Sequence, residues 1–309
     1  NNLKNLNFII IMQNALFIWD GPPNNYVKVC LQSFRLYNSK CIINFYYNDE
    51  KIIDFLKEFE DNNEIKKFNL IKLKEKNWVK RRLHHKLELT KEILINSPKD
   101  SELLVLDCDL LFQNDPFLMF QKFPDHDFYY TTCIMSTSDS LRPESLWKSV
   151  TYCVNGGVKG YRHTTNTVNF LDFWIDNNLN LTWNKWKDYE DRHKENGVDW
   201  WYCQDFPNCV HNFDPPIELK KINVGYKFNY FTSTWGFFNE NLEMGSKIGN
   251  QEYAVIHFKA NFKDVYNLED PKIYNMENIL AKKKLTTKKS IDTITKKFLS
   301  RGEKRFTIV

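Results

Sequence analysis

Two aspartates separated by a single residue follow an apolar run in the first half of the chain. Residues 103–106 are all Leu or Val, which predicts a buried β-strand that ends at Asp107-Cys108-Asp109. Side chains at positions i and i+2 point to the same side of a strand, so both carboxylates can be directed at one point. Two neighbouring negative charges are costly unless a cation lies between them. Because α/β sheets bind ligands at the carboxyl ends of their strands, the pair predicts a divalent-cation site there.

Two other interpretations of this pair stay open. Paired aspartates also cap helices and form turns. Phosphatases of the haloacid-dehalogenase type carry Asp-x-Asp after a strand as well, usually near the N-terminus and with Thr or Val two residues after the second Asp. Here Leu111 occupies that position and the pair lies a third of the way along the chain. The place of the aspartate pair in the chain and the leucine at position 111 disfavour the phosphatase interpretation.

The elements that must position the pair alternate between strands and helices. Strands are predicted at 8–12, 42–47, 68–73 and 103–106, and helices at 26–37, 51–59 and 78–94. In the first helix, Val27, Leu31 and Phe34 recur at helical spacing. The alternation predicts an α/β protein whose sheet is mainly parallel and is covered by helices on both faces.

The pattern becomes less regular after Pro116. Further strands are predicted at 127–133, 153–159, 222–224 and 253–258, and a helix at 165–177. The sequence has no internal repeat and no Gly/Ser-rich linker, which favours a single domain over residues 1–280. Residues 281–309 are predicted to form a basic extension outside it.

Charge is distributed unevenly between these two parts. From Lys282 to Val309 ten basic residues accompany two acidic ones, whereas the whole chain has a formal charge of only +4, so the remainder is net acidic. Ile291, Ile294 and Phe298 share one helical face beside the lysines. The extension is therefore either a solvated or disordered tail or an amphipathic helix that contacts an anionic membrane surface. The net acidic body and the lack of a recognition motif disfavour nucleic-acid binding.

Cysteine usage and hydropathy indicate the compartment. The seven cysteines are scattered, odd in number and without a Cys-x-x-Cys pair, which disfavours both a zinc site and a disulfide framework. The apolar stretch 8–12 is too short to span a membrane and lacks the flanks of a signal peptide. We expect a cytoplasmic protein, with peripheral membrane contact through the basic tail as a further option.

Several segments, taken together, resemble one enzyme family. In chain order they are 106–116 (LDCDLLFQNDP), 154–160 (VNGGVKG), 203–208 (CQDFPN) and 256–263 (IHFKANFK). They resemble the LDxDhhhhxDP, NSG, DQDxLN and HFxGxxKPW motifs of GT-A-fold glycosyltransferases, most closely the group with glycogenin and bacterial galactosyl- and glucosyltransferases. Residues 17–34 are similar to the opening of capsular-type and toxin-type sugar transferases. The resemblance implies a GT-A fold, which is Rossmann-like with a mixed, mainly parallel sheet flanked by helices, and an Asp-x-Asp (DxD) metal site.

The resemblance implies a metal-dependent hexosyltransferase. Its donor would be a UDP-sugar, and its acceptor a glycan, a lipid-linked sugar or a protein. A Mn²⁺ or Mg²⁺ ion would offset the charge that develops on the departing nucleoside diphosphate. Asp107, Asp109 and His257 would hold the ion, with Asp107 also contacting the ribose. Carboxylate oxygen suits both ions and Mn²⁺ also accepts imidazole, although without the resemblance His257 would be interpreted as a core histidine.

The same resemblance implies residues that bind the nucleotide sugar. Trp19 would stack on the base, because every base has a π-face that an aromatic ring can cover. Lys263 would neutralise the diphosphate as a point charge. Arg82 and Lys86, on the basic helix, would lie close to the donor. The alternatives are a core or turn role for Trp19 and solvated basic side chains for the other three.

Four further residues are implied on the acceptor side and at the reacting centre. Asn155 and Gly156 fall in the acceptor-side loop and are expected to contact the nucleotide sugar. Gln204 would lie beneath the anomeric carbon, as in related enzymes that retain configuration. Asp205 is the second catalytic candidate, as the carboxylate that binds the acceptor, and Asp199 is the alternative for that role. Retention of stereochemistry is therefore expected.

The chain also departs from the family pattern. Ala260 replaces a glycine, Asp264 and Val265 replace a Pro-Trp pair, and Cys203 stands where an aspartate is expected. These departures keep a second function open, a degenerate transferase that binds sugar nucleotides without turnover. A haloacid-dehalogenase-like phosphatase with Asp107 as its nucleophile is the third.

Overall fold

The first half of the chain forms a nearly continuous α/β array. A computed structural model describes residues 11–19, 21–23, 25–61, 68–72, 78–112, 114–134, 152–180, 182–185, 187, 216–225, 228–231 and 254–257. Up to residue 106 strands and helices alternate, in the order β1 (Gln13–Trp19), α1 (Asn25–Tyr37), β2 (Ile42–Tyr47), α2 (Ile52–Asp61), β3 (Phe68–Lys72), α3 (Trp78–Ile95) and β4 (Glu102–Leu106). This alternation confirms the predicted α/β class.

Shorter elements follow. They are β5 (Leu110–Phe112), α4 (Leu118–Lys122), β6 (Phe128–Ile134), β7 (Tyr152–Arg162), α5 (Thr165–Asn180), β8 (Lys221–Asn223), β9 (Tyr230–Phe231) and β10 (Val255–His257). Prediction missed β5, α4 and β9, which have three, five and two residues.

Two sheets organise these strands. The larger has seven strands in the order β3-β2-β1-β4-β7-β6-β8. Strands β3, β2, β1 and β4 are parallel, β7 runs antiparallel to both of its neighbours, and β8 is parallel to β6. The sheet is thus mixed and mainly parallel, as predicted. A second sheet of three strands, β5-β10-β9, was not predicted.

Apolar clusters cover both faces of the larger sheet. Alternate residues of β1 divide between them, with Ala15 and Phe17 in one cluster and Leu16 in the other. The first cluster includes side chains of α1, α2 and α4, and the second includes side chains of α3 and α5. Strands buried on both faces read as continuous apolar runs, which explains why β4 was recognised from its sequence.

The prediction of the first strand missed the position of β1. Strand β1 spans Gln13–Trp19, residues 11 and 12 of the predicted strand precede it, and residues 8–10 lie outside the described residues. The polar start of β1 is accommodated by side-chain hydrogen bonds. The Gln13 amide donates to Glu102 Oε2 at 3.0 Å, and the Asn14 amide donates to Ser97 Oγ at 3.2 Å. A prediction based on an apolar run therefore missed the polar start of β1.

Two predictions concern the rest of the chain. The basic extension at 281–309 lies outside the described residues, so the division of the chain at residue 280 stays a prediction. Among the helices that the structure describes, each is too short or too polar to cross a bilayer.

Candidate metal centre

The ends of three strands place the predicted ligands side by side. Asp107 directly follows β4, and its backbone N–H donates to the Gly157 carbonyl on the neighbouring strand β7 at 2.9 Å. Asp109 lies just before β5. Strand β10 pairs antiparallel with β5 and sets His257 opposite Leu110, the residue next to Asp109. The small sheet thus delivers an imidazole to the carboxyl end of β4.

Three side chains converge at this point. One ligand atom from each of Asp107, Asp109 and His257 lies within 4.8 Å of the others. His257 Nε2 is 3.2 Å from Asp109 Oδ1 and 3.8 Å from Asp107 Oδ2. Two carboxylate oxygens and an imidazole nitrogen form a donor set that suits Mn²⁺, and the oxygens suit Mg²⁺. The residues present therefore fit a divalent cation.

Exposure differs among the three in a way that suits a ligand site. The side chain of His257 is only 3 % exposed, whereas those of Asp107 and Asp109 are 41 % and 30 % exposed. The imidazole forms the inner wall, and the carboxylates face an opening. A molecule from solvent can therefore reach the carboxylates.

Cys108, between the two aspartates, points away from this opening into the core. Its side chain is 4 % exposed and belongs to the apolar cluster, and its thiol donates to the Ile18 carbonyl at 3.5 Å. Burial raises the pKa of the Cys108 thiol well above its ordinary value. The thiol stays neutral and is not a ligand candidate.

Lys86 of α3 holds the first aspartate. Its ammonium group donates to Asp107 Oδ1 at 2.7 Å and to the Gly156 carbonyl at 3.4 Å, and the residue is buried. One carboxylate oxygen of Asp107 therefore faces the lysine, while the other, Oδ2, faces His257. This arrangement fixes the carboxylate plane before any ligand binds.

The charges around Asp107 keep it ionised. The surrounding protein removes part of the water around the carboxyl, which pushes its pKa upward. The charges of Lys86, His257 and Lys159, together with the Lys86 hydrogen bond, outweigh this effect and lower the pKa to about 2. Asp107 is therefore a carboxylate throughout the physiological pH range.

Lys159 is a buried cation that sequence analysis missed. It lies on β7 beneath the centre, and its Nζ is 5.1 Å from the centre of the Trp174 ring, within the range of a cation–π contact. A lysine that directly follows Val158 at the end of the predicted strand was the signal that could have identified it. Its effect on the Asp107 pKa gives it an electrostatic part in the centre.

Gly157 was also missed as a site residue. A Cβ atom at this position would overlap the His257 ring, lying 2.8 Å from its Nδ1, and would lie 2.9 Å from Asp107 Oδ2. The backbone of β7 thus approaches the imidazole as closely as a glycine permits. A glycine within a predicted strand was the available signal, since it often marks a close approach.

Buried amides connect β7 to the histidine. Asn155 Oδ1 accepts hydrogen bonds from the Gly157 N–H at 2.7 Å and from Asn229 Nδ2 at 2.9 Å. Asn229 Oδ1 in turn lies 3.0 Å from His257 Nδ1. Asn155 was a predicted site residue, and in the structure it is hydrogen-bonded to Asn229, which contacts His257. Asn229 was not predicted, because it lies outside the segments that carry the motifs.

Trp19 lies at the same edge of the sheet. It ends β1, which is parallel to β4 with Phe17 opposite Leu106. Its side chain is half-buried, and its indole N–H donates to the Pro22 carbonyl at 3.0 Å. The position suits a ring that borders the opening, and base stacking by Trp19 stays a prediction.

The remaining predicted residues are described only in part or not at all. Gly156 contributes its carbonyl to Lys86. Arg82 lies in α3, but its side chain is outside the described part. Gln204, Asp205 and Lys263 lie outside the described residues, so their roles stay predictions.

Comparison with solved structures identifies the fold. No protein-family model matches the sequence, and no curated protein is similar to it in sequence. Mouse xyloside xylosyltransferase 1 superposes with a TM-score of 0.51 at 12% identity, covering 81% of this chain and 99% of that one. The glycosyltransferase GlyE of Streptococcus pneumoniae superposes with a TM-score of 0.50 at 12% identity. That alignment covers 94% of this chain, which spans 64% of the GlyE chain.

The chain has a GT-A-like fold. The fold implied by the sequence motifs is therefore confirmed. Within this GT-A-like fold, Asp107, Asp109 and His257 lie where β4 ends and the small sheet joins the large one.

Proposed function

We propose that this chain is a metal-dependent glycosyltransferase that moves a hexose from a UDP-sugar to a glycan, lipid-linked or protein acceptor, with retention of configuration. The observation that carries the proposal is the convergence of Asp107, Asp109 and His257 at the carboxyl edge of a GT-A-like sheet. Both solved structures named above are glycosyltransferases by name.

The charge of the centre supports this chemistry. A bound Mn²⁺ or Mg²⁺ would supply the positive charge that stabilises a departing nucleoside diphosphate. Asp107 is ionised and hydrogen-bonded to Lys86. Its Oδ2 therefore already faces His257, and the side chain need not change conformation to bind a cation. Preorganised charge of this kind costs no reorganisation when the reaction occurs.

The donor would lie between the carboxylates and the open edge of the sheet. Trp19 is proposed to stack on the base, and Arg82 and Lys263 to contact the diphosphate. Lys86 contributes through Asp107, to which it is hydrogen-bonded. Asn155 and Gly156 line the same edge through β7. Gln204 is proposed to lie beneath the anomeric carbon, and Asp205 is proposed as the second catalytic residue, a carboxylate that binds the acceptor.

The phosphatase alternative is not favoured. Its nucleophilic aspartate would need one carboxylate oxygen aimed at a phosphorus atom. In this chain Asp107 Oδ1 is hydrogen-bonded to Lys86, and Oδ2 faces the His257 ring. The GT-A-like fold likewise points to sugar transfer rather than to phosphate hydrolysis.

Release of UDP tests the proposal. The protein is incubated with a panel of UDP-sugars and with glycan, lipid-linked and protein acceptors, in the presence of Mn²⁺ or Mg²⁺, and free UDP is measured. We expect release with one donor, its loss on addition of EDTA, and its return with excess Mn²⁺. Donor binding without release across the panel would instead establish the degenerate transferase. Release that is indifferent to EDTA would contradict the metal.

A further inference from the structure

A buried line of hydrogen bonds runs from the backbone of β7 to the imidazole of β10. The Gly157 N–H contacts Asn155 Oδ1 at 2.7 Å, and Asn229 Nδ2 contacts the same oxygen at 2.9 Å. On its other side, Asn229 Oδ1 lies 3.0 Å from His257 Nδ1. Asn155 and Asn229 are 2 % and 1 % exposed, so water has little access to replace any of these contacts.

The hydrogen bond from the Gly157 N–H to Asn155 determines which group donates and which accepts in each of the contacts that follow. A backbone N–H can only donate, so the atom of Asn155 that faces Gly157 must be its carbonyl oxygen. That oxygen can only accept, so the atom of Asn229 that faces it must be its NH₂ group. The oxygen of Asn229 is therefore the atom that faces the histidine. Side-chain amide orientation is assigned from such networks, and here a backbone group anchors the assignment.

Thr131 reinforces the orientation of Asn229. The Asn229 NH₂ group also donates to Thr131 Oγ1 at 2.7 Å, so both of its protons have acceptors. Turning the amide over would bring its oxygen against Asn155 Oδ1 and its NH₂ against the ring. In a buried site two acceptors in contact are costly, which keeps the amide in one orientation.

We propose that Asn229 is a positioning residue that holds a proton on Nδ1 of His257. Nε2 is then the nitrogen left to bind the divalent cation, which the proposed function, on which this inference rests, puts beside Asp109 Oδ1 and Asp107 Oδ2. Metal-binding histidines commonly donate their second ring N–H to an oxygen that fixes tautomer and ring orientation. In this chain the oxygen comes from an amide whose own direction is set by a backbone N–H.

The tautomer can be measured without any metal. Nitrogen NMR of protein with ¹⁵N-labelled histidine, treated with EDTA, reports which ring nitrogen carries the proton, and a His257→Gln variant assigns the signals. Spectra are recorded at several pH values. We expect a proton on Nδ1, which Asn229 Oδ1 accepts, whether or not Nε2 also carries one towards Asp109 Oδ1 in the absence of a cation. A proton on Nε2 with none on Nδ1 would overturn the inference.

Substitution tests the part played by Asn229. Asn229→Leu keeps the approximate size and removes the acceptor, so we expect the Nε2–H tautomer to become populated and Mn²⁺ affinity to fall about 10- to 100-fold. Asn177→Leu is the matched control, because Asn177 is a buried amide on α5 that bonds to the Phe173 carbonyl. The control should leave both measurements unchanged. Equal effects of the two variants would overturn the inference.

The proposed metal function and the proposed role of Asn229 can be contradicted independently of each other. If the wild-type protein bound no Mn²⁺ but showed the Nδ1–H tautomer, the metal function would be lost and the role of Asn229 would stand. If Mn²⁺ bound normally while the wild-type histidine carried its proton on Nε2 and not on Nδ1, the metal function would stand and the role of Asn229 would be lost. Should Asn229→Leu not fold, the wild-type spectrum alone decides.

Discussion

Gly157 and His257 are in contact with no space for a side chain between them. A Cβ atom at residue 157 would lie 2.8 Å from the imidazole Nδ1 and even closer to the adjoining ring carbon. Real Cβ atoms do not approach other atoms so closely, so a larger residue must displace either the ring or the strand. The same Nδ1 makes a 3.0 Å contact with Asn229 Oδ1, so a displaced ring would also disturb that contact.

Gly157→Ala should therefore damage the metal centre more than the fold. We expect the imidazole to shift by about 1 Å or more, with a loss of catalytic rate on the order of 10²-fold. Mn²⁺ affinity, measured by calorimetry, should fall with it. Gly160→Ala on the same strand is the comparison, because its Cβ would crowd Phe120 and Tyr129 instead. That variant should unfold at a lower temperature and keep its Mn²⁺ affinity.

Asp109→Asn removes one charge from the centre and keeps the shape of the side chain. The uncharged amide is a weak ligand for a hard cation, so UDP release should fall by at least about 10²–10³-fold. Steady-state kinetics at saturating donor and Mn²⁺ measure this loss. Asp54→Asn, at an exposed aspartate of α2, should turn over normally. Near-normal turnover of Asp109→Asn would remove this residue from the proposed ligand set.

Lys86→Met should move the acid side of the pH profile. The lysine is the largest of the influences that lower the Asp107 pKa, so removing its charge lets that pKa rise from about 2. Protonation of Asp107 then begins at a higher pH, and Mn²⁺ binding should be lost at a higher pH than in the wild type. Lys91→Met, on the same helix but paired with Asp172, should leave the profile in place. Titrations of Mn²⁺ affinity from about pH 3 to 6, a range that includes the ordinary aspartate pKa of about 3.9, compare the two variants.

Stability should depend on Asp107 in a defined pH window. Its pKa is lower in the folded protein than in the unfolded chain, so ionised Asp107 stabilises the fold above the unfolded value. That contribution is lost as the pH falls through about 2. In EDTA, Asp107→Asn should therefore be less stable than the wild type near neutral pH. Urea denaturation should show this gap narrow towards pH 2, and a gap that stayed constant would contradict the Lys86 contact.

Much of this fold could be predicted because its early elements are long and regular. Strand β4 is apolar on both faces and α1 repeats its apolar residues at helical spacing, so both were located within a residue. Strand alternation predicted that the side chains of Asp107 and Asp109 point to the same side. The placement of Cys108 in the core agrees with that prediction. The GT-A-like fold needed the additional step of motif resemblance.

The rest depended on contacts between distant parts of the chain. Strand β10 has three residues, and only its pairing with β5 brings His257 beside Asp109. The basic side of α3 was apparent in the sequence, but the hydrogen bond from Lys86 to Asp107 requires the packing of that helix on the sheet. Asn229 carries no local pattern at all, because its importance comes from two neighbours that lie 74 and 28 residues away.

The pairing of β5 with β10 also sets when the centre can exist. During synthesis the carboxylates emerge from the ribosome long before the imidazole does, because His257 follows them by nearly half of the chain. A nascent polypeptide can build the four parallel strands of the large sheet and still lack the third ligand. Tight capture of a cation would therefore mark a completed molecule, and proteolytic removal of β10 would abolish it while leaving those four strands covalently intact.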